Sequence, residues 1–198
     1  MRPVNKERKS VNSHLEEIFK NYFVFASKKE NIFDISIPVI ISLIIFLTLF
    51  FLEPSNKSIL KSISNVNSIA LSIIAISAGL NTACLTLVAT AQPETLKKLY
   101  TAGKKPEDRN ILKQVITFFA FSILFQLIIL VIGTVFGTVA ENIPHLYEEL
   151  KFISHDVAKL ILIIFGFVWV SVILYSFFVS IRNIALLYRY VLYVAKNS

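Results

Sequence analysis

The chain has 198 residues, of which 55% are hydrophobic and only 17% charged, and Phe alone occurs 17 times. Its mean hydropathy is +0.67, more apolar surface than one water-soluble core of this length can hide, which argues against a soluble globular domain. The formal net charge is +7, but the basic residues sit between apolar runs, so the charge reads as membrane topology before nucleic-acid binding.

Residues 1–33 begin with a basic stretch (Arg2, Lys6, Arg8, Lys9), and no apolar run follows closely enough for a cleaved signal peptide. Ser13-x-x-Glu16 has the form of a capping box. Leu15, Ile18, Phe19, Tyr22 and Phe23 then follow at helical spacing, with Glu16, Glu17, Lys20 and Asn21 on the other face. This predicts an amphipathic helix, lying either in the membrane interface or on the protein's own helices.

Four apolar runs follow, each long enough to cross a ~30 Å hydrocarbon core. They are predicted over about 35–52, 66–91, 115–140 and 160–181. Pro38 falls in the first turn of the first, where its missing N–H costs little. Backbone groups in lipid must be satisfied internally, so continuous apolar runs mean helices. The predicted fold is therefore all-α: a polytopic four-helix transmembrane domain over 34–181, preceded by the amphipathic helix and followed by a tail at 182–198.

Sixteen Lys and Arg fall in the N-terminal segment, the middle loop and the tail, against four in the other two loops. The excess predicts that both termini and the middle loop are cytoplasmic. Lys97, Lys98, Lys104, Lys105 and Arg109 in the middle loop either dock a cytoplasmic partner or anionic lipid, or only set topology. The loop 141–159 carries Glu141, Glu148, Glu149, Asp156, His145 and His155. It reads as a solvated acidic loop or as a metal or pH-sensing site, with no known metal spacing.

The second run carries a stripe of small and polar residues: Ser68, Ser72, Gly79, Thr82, Thr86 and Thr90, with Asn81 beside it. The third has Ser122, Gln126, Gly133 and Gly137, the last two forming GxxxG. Two readings stay open. The stripes are close helix contacts with Asn81 and Gln126 bonding across, or they line a water path in an oligomer. The tight-contact reading predicts that Gly137→Leu disrupts packing.

Within the spans there is no Asp, Glu, Lys, Arg or His at depth, as proton-coupled transport would need. The one cysteine, Cys84, allows neither an intrachain disulfide nor a cysteine metal cluster. The reading is therefore no enzyme, cofactor, metal, small-molecule substrate or direct nucleic-acid contact.

In length, four-span plan and the second-run segment 67–83, NSIALSIIAISAGLNTA, the chain resembles the KwaA family. This is the membrane subunit of the bacterial Kiwa anti-phage defence system. The resemblance implies a homo-oligomeric sensor or scaffold in the inner (cell) membrane, a tetramer being among the candidate assemblies. It also implies a cytoplasmic DNA-binding partner, KwaB. The rival expectation is a small pore-forming channel or membrane-disrupting effector.

Overall fold

The computed structural model describes residues 11–53, 55–101, 111–140 and 154–197, all in helices or short connections between them. The helices are α1 (Val11–Phe25), α2 (Lys28–Leu52), α3 (Asn56–Ala89), α4 (Pro93–Thr101), α5 (Ile111–Ala140) and α6 (His155–Asn197). Four of them, α2, α3, α5 and α6, are long and apolar enough to cross a membrane.

Burial gives a second reason to place them in lipid. Ile44, Phe51, Ile69, Leu80, Val131 and Ile184 are each 60% or more exposed, while Ser42, Asn67, Ser122, Gln126, Ser176 and Asn183 are at most 1% exposed. The apolar residues face out and the polar ones face in. Water would penalise that arrangement, whereas a hydrocarbon solvent favours it. On α2 the buried row is Asp34, Pro38, Ser42 and Phe46, every fourth residue, and it packs on α6 as a single ridge. α3 packs on α5 and α6, and α1 and α4 both lie against α5.

Several helices outrun the apolar stretches that betray them. α3 starts at Asn56 and not near residue 66, so Lys57 and Lys61 stand on a helix and not in a loop. Ile59, Leu60 and Ile63 are buried there at 0–6%, and that packing carries the helix through the polar stretch. Asn56 Nδ2 donates to the His155 carbonyl at 3.1 Å, joining the first turns of α3 and α6. The predicted tail is simply the end of α6, whose 43 residues extend roughly 65 Å at 1.5 Å per residue. Part of the predicted middle loop is also helical: Pro93 stops α3 and opens α4, a position where its missing N–H is no loss.

α1 runs from Val11, so Ser13 lies inside it and not ahead of it. Its packed face is also rotated from the predicted one. Tyr22, Phe25 and Ala26 are buried, whereas Leu15 is 39% and Phe23 53% exposed. The capping box of this region stands at the next junction. Ser27 Oγ accepts from the Glu30 N–H at 3.2 Å, and Glu30 Oε2 accepts from the Ser27 N–H at 2.8 Å. Ser27→Ala is expected to cost about 1 kcal/mol of local helix stability, seen as faster amide exchange at 28–31.

Candidate functional site

The inner faces of α3, α5 and α6 meet in layers. α3 supplies Leu60, Asn67, Ile74, Asn81 and Val88, a strict seven-residue repeat with every member 6% exposed or less. Such a repeat keeps one seam turned towards its neighbours along the helix.

The first layer joins Asn67, Gly133 and Trp169. Asn67 Nδ2 donates to the Gly133 carbonyl at 2.9 Å, and Trp169 Nε1 donates to Asn67 Oδ1 at 3.0 Å. A Cβ on Gly133 would stand 2.6 Å from Leu71 Cδ2 and 2.9 Å from Asn67 Oδ1. Two turns further along α3, Ile74, Ile129 and Ile173 close the interior, each at most 2% exposed.

Beyond the isoleucines lies the larger polar layer. Asn81 Nδ2 lies 3.0 Å from both Ser122 Oγ and Gln126 Oε1, and 3.1 Å from Ser180 Oγ. Gln126 Nε2 donates to Ser180 Oγ at 2.7 Å and to Ser77 Oγ at 2.9 Å. Asn183 Nδ2 donates to Asn81 Oδ1 at 3.2 Å. Three helices are thus tied by one network of carboxamides and hydroxyls, in which Asn183 Oδ1 is buried without a partner.

A charged junction stands where α1, α2 and α6 meet. Arg182 Nη1 is 2.6 Å from Asp34 Oδ2, with both side chains nearly buried. Arg182 Nη2 donates to the Tyr22 hydroxyl. The guanidinium also lies over two rings, 4.8 Å from the centre of Tyr22 and 4.7 Å from that of Phe118. Tyr175 donates to the same Tyr22 oxygen at 3.2 Å. Tyr22 itself stacks on Phe121 with centroids 3.6 Å apart. Burial pushes its hydroxyl well above the usual tyrosine range, so it stays protonated. In the sequence Asp34 and Arg182 mark the edges of the first and fourth apolar runs, and nothing there pairs them. The signal available was that Asp34 just precedes the first apolar run and Arg182 just follows the fourth, so the expected topology puts opposite charges at one membrane face.

The predicted stripe on α3 divides. Asn81 points inward, while Ser72, Gly79, Thr82 and Thr86 are exposed. Thr82 donates to the Ala78 carbonyl at 2.8 Å, Thr86 to Thr82 at 3.0 Å, and Ser72 to Ser68 at 3.4 Å. A Cβ on Gly79 would meet nothing within 4 Å. The stripe is therefore no contact with the chain's own helices. On α5, Gln126 and Gly133 are buried, but a Cβ on Gly137 meets only Asn67 Nδ2, at an ordinary 3.5 Å. The close approach of that GxxxG is at its first glycine. A second tight site, Gly166, went unread: a Cβ there would run into the Phe46 ring and stand 2.8 Å from Ile63 Cδ1.

Lys97 and Lys98 are exposed on α4, which seats Leu99 against Val88, Val115 and Phe119. Lys104, Lys105 and Arg109 lie outside the described residues, as do Glu141, His145, Glu148 and Glu149. His155 and Asp156 are solvent-exposed at the start of α6. Among the described residues no group of three or more His, Cys, Asp or Glu is placed to hold a metal ion.

These features define a polytopic α-helical membrane bundle whose interior is organised as alternating polar and apolar layers. No protein-family model matches the chain, and neither does any curated protein or solved structure.

Proposed function

We propose that this chain is an oligomeric inner-membrane subunit, a sensor or scaffold that engages a cytoplasmic partner, as the likeness to the Kiwa membrane subunit implies. The observation that carries the reading is how the interior is spent. The carboxamides of Asn67, Asn81 and Gln126 are bonded within the bundle, and Ile74, Ile129 and Ile173 separate the two polar layers. An interior closed in this way fixes helix positions and leaves recognition to the outer surfaces.

Two surfaces suit that role. The outward stripe of α3 at Ser72, Gly79, Thr82 and Thr86 is smooth enough for a second copy to approach closely. The charge excess puts α4 on the cytoplasmic side, where Lys97 and Lys98, with Lys104, Lys105 and Arg109, meet an acidic protein surface or anionic lipid. In the Kiwa likeness the partner is a DNA-binding protein, so this chain needs no nucleic-acid contact of its own.

The second reading is a pore formed between copies. The hydroxyls of Thr82 and Thr86 favour it, because they face away from the bundle and only an assembly could gather them around a path.

Native mass spectrometry of the detergent-purified protein tests both. The expected result is a defined oligomer that Gly79→Leu dissociates and that retains the product of a neighbouring gene when taken from its host. A monomer without that companion overturns the first reading. Planar-bilayer conductance lost in Thr82→Leu/Thr86→Leu would establish the second.

A further inference from the structure

The junction of Tyr22, Arg182 and Asp34 belongs to none of the layers above, yet it holds an ion pair whose two side chains are both nearly buried. Its three members come from three helices. Asp34 stands in the second turn of α2, Arg182 lies within α6, and Tyr22 lies in α1, outside the four long helices.

Arg182 is shared between the other two. One nitrogen contacts the Asp34 carboxylate, a second donates to Tyr22, and the plane of the group lies against aromatic rings. A guanidinium suits this position because its fork reaches two partners in fixed geometry. Arg182 Nε is buried without a partner, and Nη1 and Asp34 Oδ2 face each other as an ion pair without hydrogen-bond geometry, so the group depends on that charge contact and on Tyr22. A buried cation that loses one partner must find another or become solvated.

α1 is joined to α2 by Ala26 and Ser27 alone, and the capping box ends one helix as it begins the next. Such a break lets α1 swing while α2 stays intact. Besides Arg182, α1 is held by the Tyr175 hydroxyl on Tyr22, by the Tyr22 and Phe19 rings on Phe118 and Phe121, and by Glu17 against Lys113 at 2.8 Å. The last pair is solvent-exposed and weak.

We propose that Tyr22, Arg182 and Asp34 form a latch that couples the docking of α1 to the packing of α2 against α6. When α2 shifts against α6, Asp34 leaves Arg182, and the guanidinium turns towards solvent or a new acceptor. Tyr22 then loses its charged donor and α1 releases. A change in the membrane-crossing helices is thereby reported as exposure of the Tyr22, Phe25 and Ala26 face. The coupling does not depend on the function proposed above, since its readout is the position of α1 alone.

The decisive measurement alters Asp34 and reads α1. Asp34 touches Arg182 but makes no hydrogen bond to α1. Ala26, 5% exposed in the cluster with Tyr22 and Phe118, becomes the reporter as Ala26→Cys in a Cys84→Ser background. The protein is reconstituted in lipid nanodiscs, which leave both faces open, and labelled with a water-soluble maleimide. Asp34→Asn, Arg182→Lys and Tyr22→Phe are each expected to speed labelling roughly tenfold, the opening expected when a nearly buried ion pair or one charge-assisted hydrogen bond is lost. Unchanged labelling in Asp34→Asn, with Tyr22→Phe accelerated, overturns the coupling, because α1 would then dock independently of α2. If Asp34→Asn loses helicity by circular dichroism, Arg182→Lys decides. It keeps the charge beside Asp34 but lacks the two-sided fork, and unchanged labelling there overturns the latch.

Discussion

Gly133→Ala and Gly166→Ala should each destabilise the bundle by about 1–3 kcal/mol, the usual cost of overpacking a filled contact. Gly137→Ala should be neutral, or stabilising by up to about 1 kcal/mol from helix propensity. At Gly133 the added methyl meets Leu71 Cδ2 at 2.6 Å and Asn67 Oδ1 at 2.9 Å. The leucine end can rotate away. Asn67 cannot, because its oxygen is held by Trp169 and its nitrogen by the Gly133 carbonyl. Moving it breaks the whole layer. At Gly166 the obstacles are Phe46 and Ile63, only 3% and 1% exposed, so neither has space to retreat. Gly137 offers the methyl an ordinary contact. Unfolding in mixed micelles, followed by circular dichroism, separates the three variants. Propensity acts alike on all of them, so the differences report contact alone. Equal stabilities would mean that α5 and α6 do not approach α3 and α2 as described.

The contacts at these glycines mark what the sequence makes legible. The four long helices follow from apolar runs that only lipid can solvate, and the structure has them. Their ends did not follow, because the hydropathy of Lys57–Val66 falls while the burial of Ile59, Leu60 and Ile63 continues. Tertiary packing, not composition, extends that helix. The small-residue stripe of α3 differs from its inner face, apart from Asn81, for a chemical reason. A hydroxyl can bond the carbonyl one turn back, as Thr82 and Thr86 do, and so can face lipid at little cost. A carboxamide has donors and acceptors that its own helix does not satisfy, so it must face a partner. The packing reading has Asn81 and Gln126 bonding across, as they do at 3.0 Å, but its Ser, Thr and Gly residues lie one residue, or roughly 100°, away from Asn67, Ala78 and Asn81. The seven-residue spacing of Leu60, Asn67, Ile74, Asn81 and Val88 was the better signal. The charged junction was hidden differently. Asp34 and Arg182 are separated by most of the chain, and only the antiparallel docking of α2 on α6 makes them neighbours.

The same chemistry sets the behaviour of the large polar layer. Asn81→Leu is expected to cost about 1–3 kcal/mol, because it leaves a buried partner unsatisfied. That partner is Gln126, 0% exposed, whose Oε1 accepts from Asn81. Asn183 also loses the oxygen to which its Nδ2 donates. Gln126→Leu should cost a similar amount, since it strips Asn81 of an acceptor and Ser77 and Ser180 of a donor. The double variant should recover much of the loss and fall well short of the sum. With both of these carboxamides gone, the remaining groups are Ser77, Ser122, Ser180 and Asn183. Ser180 already donates to the Ser176 carbonyl at 3.2 Å, and the other two serines can bond their own helices in the same way. Asn183 keeps the Phe118 carbonyl as an acceptor for its Nδ2 at 3.4 Å, and two leucines fill the space that the carboxamides leave beside Ile74 and Ile173. Membrane interiors make such pairs worth less than vacuum arithmetic implies, often below about 1 kcal/mol each, so the coupling and not the single-site loss is the diagnostic quantity. A double-mutant cycle in mixed micelles measures it. Strict additivity would show that Asn81 and Gln126 do not share a network. A favourable coupling larger than either single loss would show that the layer exists to satisfy itself, with helix register as its product.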